Sequence, residues 1–152
     1  KIDRVVRVPA SMMMASWMGS HFTNDDLVKQ SRLVRDYDFE TTFEGSRDGV
    51  PVYEFTLMPK PDAPVVWGKI VYLVRQADTL PISARFFAED GALKSVATFG
   101  DYALMDGRMV PTRLRMTPQD KPGEFTEMHY LALAFNVTMP PNMFALNSLR
   151  GS

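Results

Sequence analysis

The 152-residue chain contains no cysteine, which excludes disulfide bridges, thiolate metal sites and a cysteine nucleophile. It carries almost no net charge, −1 at pH 7 from 17 basic and 18 acidic residues. A balance this even gives no electrostatic drive toward nucleic acid or an anionic membrane surface. Only two histidines are present, His21 and His129. They are far apart in sequence and lack metal-ligand spacing, so both read as surface or packing residues. No apolar run reaches the roughly 20 residues that a membrane-crossing helix needs, and no secretory signal pattern is visible. The GxSxG, Walker and GxGxxG motifs are missing. From sequence, no catalytic residue, metal or cofactor is expected.

What the chain does have is apolar mass. Hydrophobic residues make up 45% of it, enough at this length for one core and one domain over 1–152. Eleven are methionines, three of them consecutive at Met12 to Met14. Methionine is flexible and polarisable, and it serves equally as a core gap-filler or as the lining of an adaptable apolar site.

Lys1 to Val8 reads as a strand that ends at Pro9. A mature protein rarely opens in mid-strand, so an N-terminal piece is expected to be missing. Residues 10–20 are small and greasy, with Gly19 as a breaker, and predict a buried loop or short helix. The strongest local signal follows. Thr23 can cap a helix, and Asp26 three residues on completes a capping box, with Phe22 and Leu27 at the staple positions. Asp25 and Asp26 also suit the positive end of the helix dipole. A helix over Asn24 to Ser31 accounts for both carboxylates without acid or metal chemistry.

From Leu33 onward the pattern is of strands. Tyr37, Phe39, Thr41 and Phe43 alternate with Asp38, Glu40, Thr42 and Glu44, as in a strand with one wet side. Arg47 to Gly49 signals a hairpin, after which Tyr53, Phe55 and Leu57 share a face. The run from Trp67 to Gln76 is apolar on both faces and should be covered on both. Two further hairpins turn at Glu89 to Gly91 and at Asp106-Gly107. A long strand over 124–136 places Phe125, Glu127, His129, Leu131, Leu133 and Phe135 on one side. A short closing helix is expected after Pro140 and Pro141. Strands joined in sequence by tight turns are antiparallel neighbours, so the product is one twisted meander with little helix. Such a sheet must close, meet a second layer, or hold something apolar. Taken singly, its aromatic residues read as core packing. Taken together they exceed the available cover, and the surplus predicts a concave apolar cleft. Met14, Trp17, Met18, Tyr53, Phe55, Leu57, Trp67, Tyr72, Phe86 and Tyr130 are its expected lining.

The stretch Ser16 to Val28, SWMGSHFTNDDLV, resembles the bacterial outer-membrane lipoprotein-sorting family, relatives of the periplasmic carrier LolA and the receptor LolB. Met18, Gly19, Ser20, Phe22, Thr23, Asn24, Asp25, Asp26 and Leu27 match the family pattern, whereas His21 stands where aspartate is usual. Weaker likenesses lie at Trp67 to Lys69, Phe86 to Gly91 and Met143 to Leu149. The resemblance implies a mainly β, α+β fold: an unclosed, strongly curved antiparallel half-barrel with short helices in its mouth. It also implies the periplasm, a lipid, acyl chain or lipoprotein as cargo, and an inner-membrane exporter as partner.

Three functions follow as expectations. The first is a carrier whose cleft takes acyl chains. The second is an enzyme on the same half-barrel, signalled by Arg113, Arg115, Glu127 and His129 converging inside the cleft. The third is an envelope binding module, in which a bare sheet edge left by a missing N-terminal section invites strand addition or a swapped dimer.

Overall fold

The computed structural model describes residues 9, 12–28 and 32–143. The strand expected at Lys1 to Val8, the end of the helix expected to reach Ser31, and the closing segment beyond Met143 lie outside the described residues.

Two short helices, α1 (Asn24–Val28) and α2 (Leu33–Asp36), precede seven strands: β1 (Tyr37–Arg47), β2 (Val50–Pro59), β3 (Lys69–Arg75), β4 (Pro81–Phe87), β5 (Leu93–Met105), β6 (Arg108–Pro118) and β7 (Thr126–His129). The strands form one sheet in the order of the chain, each antiparallel to the next. Among the described residues the sheet does not close, since β1 and β7 are its two edges. The fold is mainly β, an open half-barrel with two short helices. Local chemistry explains the turns. Asp48-Gly49 and Asp106-Gly107 both have two successive positive φ angles (52° and 79°, 46° and 76°), the type I′ geometry that matches strand twist and favours Asp-Gly.

Register defines the two faces. Leu57 opposes Ile70, Ile70 opposes Phe86, Ala84 opposes Ala97, Ala97 opposes Met116 and Leu114 opposes Met128. These residues belong to or pack against one buried cluster, completed by Phe22, Tyr37 and Trp67. This is the inner face. Tyr53, Phe55 and Leu57 share it, as their alternation requires. β3 lies between β2 and β4 and is buried on the opposite face too, at Val71.

Four expectations are corrected. Residues 33–36 form α2 and not the start of a strand. Asp36 is drawn into the interior, where it accepts from Arg32 one turn back at 3.2 Å. The β1 alternation does not persist: a bulge between Thr41 and Phe43 shifts the register and sends Phe43 to the outer face opposite Glu54. The long strand over 124–136 shrinks to β7. Beyond it the chain still follows β6, with Tyr130 N–H donating to the Thr112 carbonyl and Phe135 N–H to the Asp106 carboxylate, but without a ladder, and Leu131 is 92% exposed. Residues 12–20 form an exposed turn and not a buried loop or helix. The Ser16–Thr23 bridge and the Trp17 N–H to Phe22 carbonyl bond close it. Met18 and Gly19 turn the chain at positive φ.

Candidate ligand cavity

The inner face is not filled. A hollow of about 70 Å³ lies between it and residues 22–28 and 32–37. By the usual measure it has room for roughly five waters. The sheet contributes Ile70, Tyr72, Phe86, Ala97, Phe99, Leu114, Met116 and Met128, and the cover contributes Phe22, Leu33, Val65 and Trp67. A second, more open hollow of about 250 Å³ adjoins it and shares Phe99, Leu114 and Tyr130 as walls, with Val110, Pro111 and Leu133 beyond. The two hollows therefore border the same stretch of β5 and β6.

The motif that stands out in the sequence builds the cover. Thr23 N–H donates to Asp26 Oδ2 at 2.8 Å, and Asp26 N–H donates to Thr23 Oγ1 at 3.1 Å, a reciprocal capping box. The second Asp26 oxygen accepts from Trp67 Nε1–H at 3.0 Å. One carboxylate thus starts α1 and fastens it to the loop before β3. Trp67 packs on Phe86 with ring centroids 5.3 Å apart, and the Tyr37 hydroxyl donates to its carbonyl. On the other side His21 reaches β7. Its backbone N–H donates to Thr126 Oγ1, its Nδ1 lies 2.9 Å from the same hydroxyl, and its Nε2 lies 3.0 Å from Glu124. The segment carrying Phe22 is thus pinned both to the loop before β3 and to the β7 edge.

The electrostatics of the hollow are one-sided. Asp25, Asp26, Arg32 and Asp36 line it, and Asp25 and Asp36 are each 5% exposed. Burial, then the charge of Asp26, pushes the Tyr72 phenol up to about 12. Burial, then Asp25, raises that of Tyr37 further. Both phenols stay protonated and polar within an otherwise apolar wall.

Of the expected lining, the structure brings together Trp67, Tyr72, Phe86 and Tyr130 around the hollow. Leu57 belongs to the buried cluster and Phe55 packs against it, with the Tyr53 ring 6.0 Å from that of Phe55. Met14, Trp17 and Met18 lie outside, 52%, 40% and 85% exposed, because they sit on the turn that projects from the cover. Phe22 takes the inward place instead. Sequence reading missed Ala97, Phe99, Leu114, Met116 and Met128 as lining, although their alternation along β5, β6 and β7 carries the signal. It gave no hint of Arg32 and Asp36.

Arg113, Arg115, Glu127 and His129 do converge, but on the outer face, in alternation with Leu114 and Met128. There they satisfy one another. Glu127 lies 2.8 Å from Arg115, 2.7 Å from His129 and 3.7 Å from Arg113, which also pairs with Asp101. Arg115 first, then His129, hold the Glu127 carboxyl below its usual range. Among the described residues, no group of three or more His, Asp or Glu is placed to hold a metal.

The open antiparallel half-barrel with a covered, partly hollow inner face recurs in solved structures to which the chain is similar. A DUF1329 family protein from Desulfovibrio piger superposes with a TM-score of 0.86 at 24% identity, over 98% of this chain and 62% of that one. An outer membrane lipoprotein-sorting protein domain from Vibrio parahaemolyticus gives 0.82 at 26%, over 97% and 61%. A LolA superfamily protein from Nitrosomonas europaea gives 0.75 at 22%, over 89% and 60%. The chain thus spans about three fifths of the length of these structures. The chain belongs to a family described as "Uncharacterized protein", whose model matches residues 1–151. No curated protein matches it.

Proposed function

We propose that this protein is a periplasmic carrier that holds an acyl chain, or another apolar ligand, between the inner face of the sheet and the cover formed by residues 22–28 and 32–37. The observation that carries this reading is the hollow itself: aromatic and aliphatic side chains of β3 to β7 face a space that Phe22 and Trp67 cover without filling. Each methylene buried there contributes about 0.8 kcal/mol, so a short chain gains useful affinity without any charged contact. A longer chain extends past Phe99 and Tyr130 or displaces Phe22. The cover is then a lid whose open and closed populations the ligand shifts. Lipoprotein acyl chains, delivery from an inner-membrane exporter, and pairing through the open sheet edges belong to the same reading.

The placement of the Arg113, Arg115, Glu127 and His129 network on the outer face, each member already paired, supports binding over catalysis. Native mass spectrometry of the protein purified from a bacterial periplasm, followed by lipid extraction, tests the carrier reading. A one-to-one apolar adduct is expected. A folded protein that carries no adduct, and takes up no added lipid, contradicts it.

A further inference from the structure

The hollow is polar at one end only. Asp25, Asp26, Arg32 and Asp36 all come from the cover, whereas the sheet side is apolar apart from its phenols. Asp26 is fully engaged by Thr23 and Trp67. Asp36 is not. Its Oδ1 accepts from Arg32 Nη2 at 3.2 Å, but its Oδ2 is buried with no hydrogen-bond partner among the described residues, in a side chain only 6% exposed. The Arg32 Nε–H is likewise buried, with no partner among the described residues. Native structures rarely leave such atoms dry, and each one asks for an explanation. Here the atom belongs to a residue lining a space that a guest can enter.

We propose that this end of the cavity is a head-group subsite for an amphiphile whose head donates a hydrogen bond, an amine or a hydroxyl, to Asp36 Oδ2. The tail then runs along Phe86, Phe99 and Leu114 toward the second hollow. A carboxylate or phosphate head brings no hydrogen to Asp36 Oδ2 and sets further negative oxygens against it where water is excluded, so the same end is unfavourable for such heads. The ligand class is thus narrower than apolar chains at large: free fatty acids fit the tail region and fail at the head. This inference rests on the carrier reading and specifies its ligand.

Isothermal titration of the full chain at pH 7.5 with n-decylamine, 1-decanol and sodium decanoate, each below its aggregation limit, tests it. The amine and the alcohol are expected to bind at least tenfold tighter than decanoate. Asp36→Asn, which keeps the shape and removes the charge, is expected to bring decanoate within threefold of the amine. If that variant does not fold, the wild-type ranking alone decides. Decanoate binding as tightly as the other two overturns the head-group subsite and leaves the carrier reading standing. Binding of none of the three overturns both.

Discussion

On the outer face of the sheet each of four aromatic rings lies under a cation. Lys69 sits 4.2 Å from the centre of Phe87, Arg115 4.1 Å from Phe125, Arg47 4.2 Å from Phe43 and Arg75 4.0 Å from Tyr102. On the inner face the rings of Trp67 and Phe86 meet each other instead, and Phe99, Leu114 and Met116 face a hollow. The two surfaces have similar raw material and opposite finish. A ring capped by a guanidinium or ammonium keeps its apolar body wet-compatible and offers little to an apolar guest. A ring facing other rings across a gap leaves dispersion contacts unmade, which a guest can supply. The difference is what the proposed carrier role requires of a sheet whose two faces are both rich in aromatics.

Substitutions that separate the faces sharpen this contrast. The largest effect is expected at Trp67, which is 6% exposed and ties the cover to the inner face. Trp67→Ala should lower stability by about 3–5 kcal/mol in a urea titration, and a loss under about 1 kcal/mol would mean that the cover is not held there. Asp26→Ala removes a cap and a charged acceptor together and should cost roughly 2 kcal/mol. A double-mutant cycle with Trp67→Phe should show clear coupling between the two, and simple additivity would break the link drawn here. On the outer face Lys69→Met should change stability by less than about 1 kcal/mol and leave ligand binding untouched. The smallest effect concerns Glu127. Its carboxyl is held below the usual range, so its contribution is present above the ordinary glutamate range and is lost as pH falls through the depressed value. Glu127→Gln should therefore narrow slightly the drop in urea midpoint between pH 6 and pH 3. A large change in ligand binding by the same variant would bring the enzyme reading back.

Much of this was legible in the sequence wherever the physics is local. The Thr23–Asp26 capping box lies within four residues, and Asp48-Gly49 and Asp106-Gly107 are fixed by their own φ angles. The shared face of Tyr53, Phe55 and Leu57 follows from period-two alternation. Legibility failed where a distant partner decides. The bulge after Thr41 flips Phe43 through pairing with β2, which alternation within β1 does not encode. In sequence Asp36 only opens an acidic stretch with Asp38, Glu40 and Glu44, and it is α2 that turns it inward beside Arg32. The methionine-tryptophan stretch 12–18 looks buried on composition, yet Phe22 is the residue that the closed turn delivers to the cavity. Arg113, Arg115, Glu127 and His129 were rightly seen as neighbours, but which face they share depends on the register of β6 and β7.

In the proposed carrier an apolar guest lies in the hollow. Ala97 is 2% exposed and lines it from the middle of β5. Ala97→Phe should occupy the space at a stability change of about 1–3 kcal/mol. The decisive measurement is the fluorescence titration of the folded wild type and of folded Ala97→Phe with N-phenyl-1-naphthylamine. Saturable binding at one site, weakened at least tenfold by the substitution, is the predicted result. Equal binding by the two proteins, or none by the wild type, would contradict it.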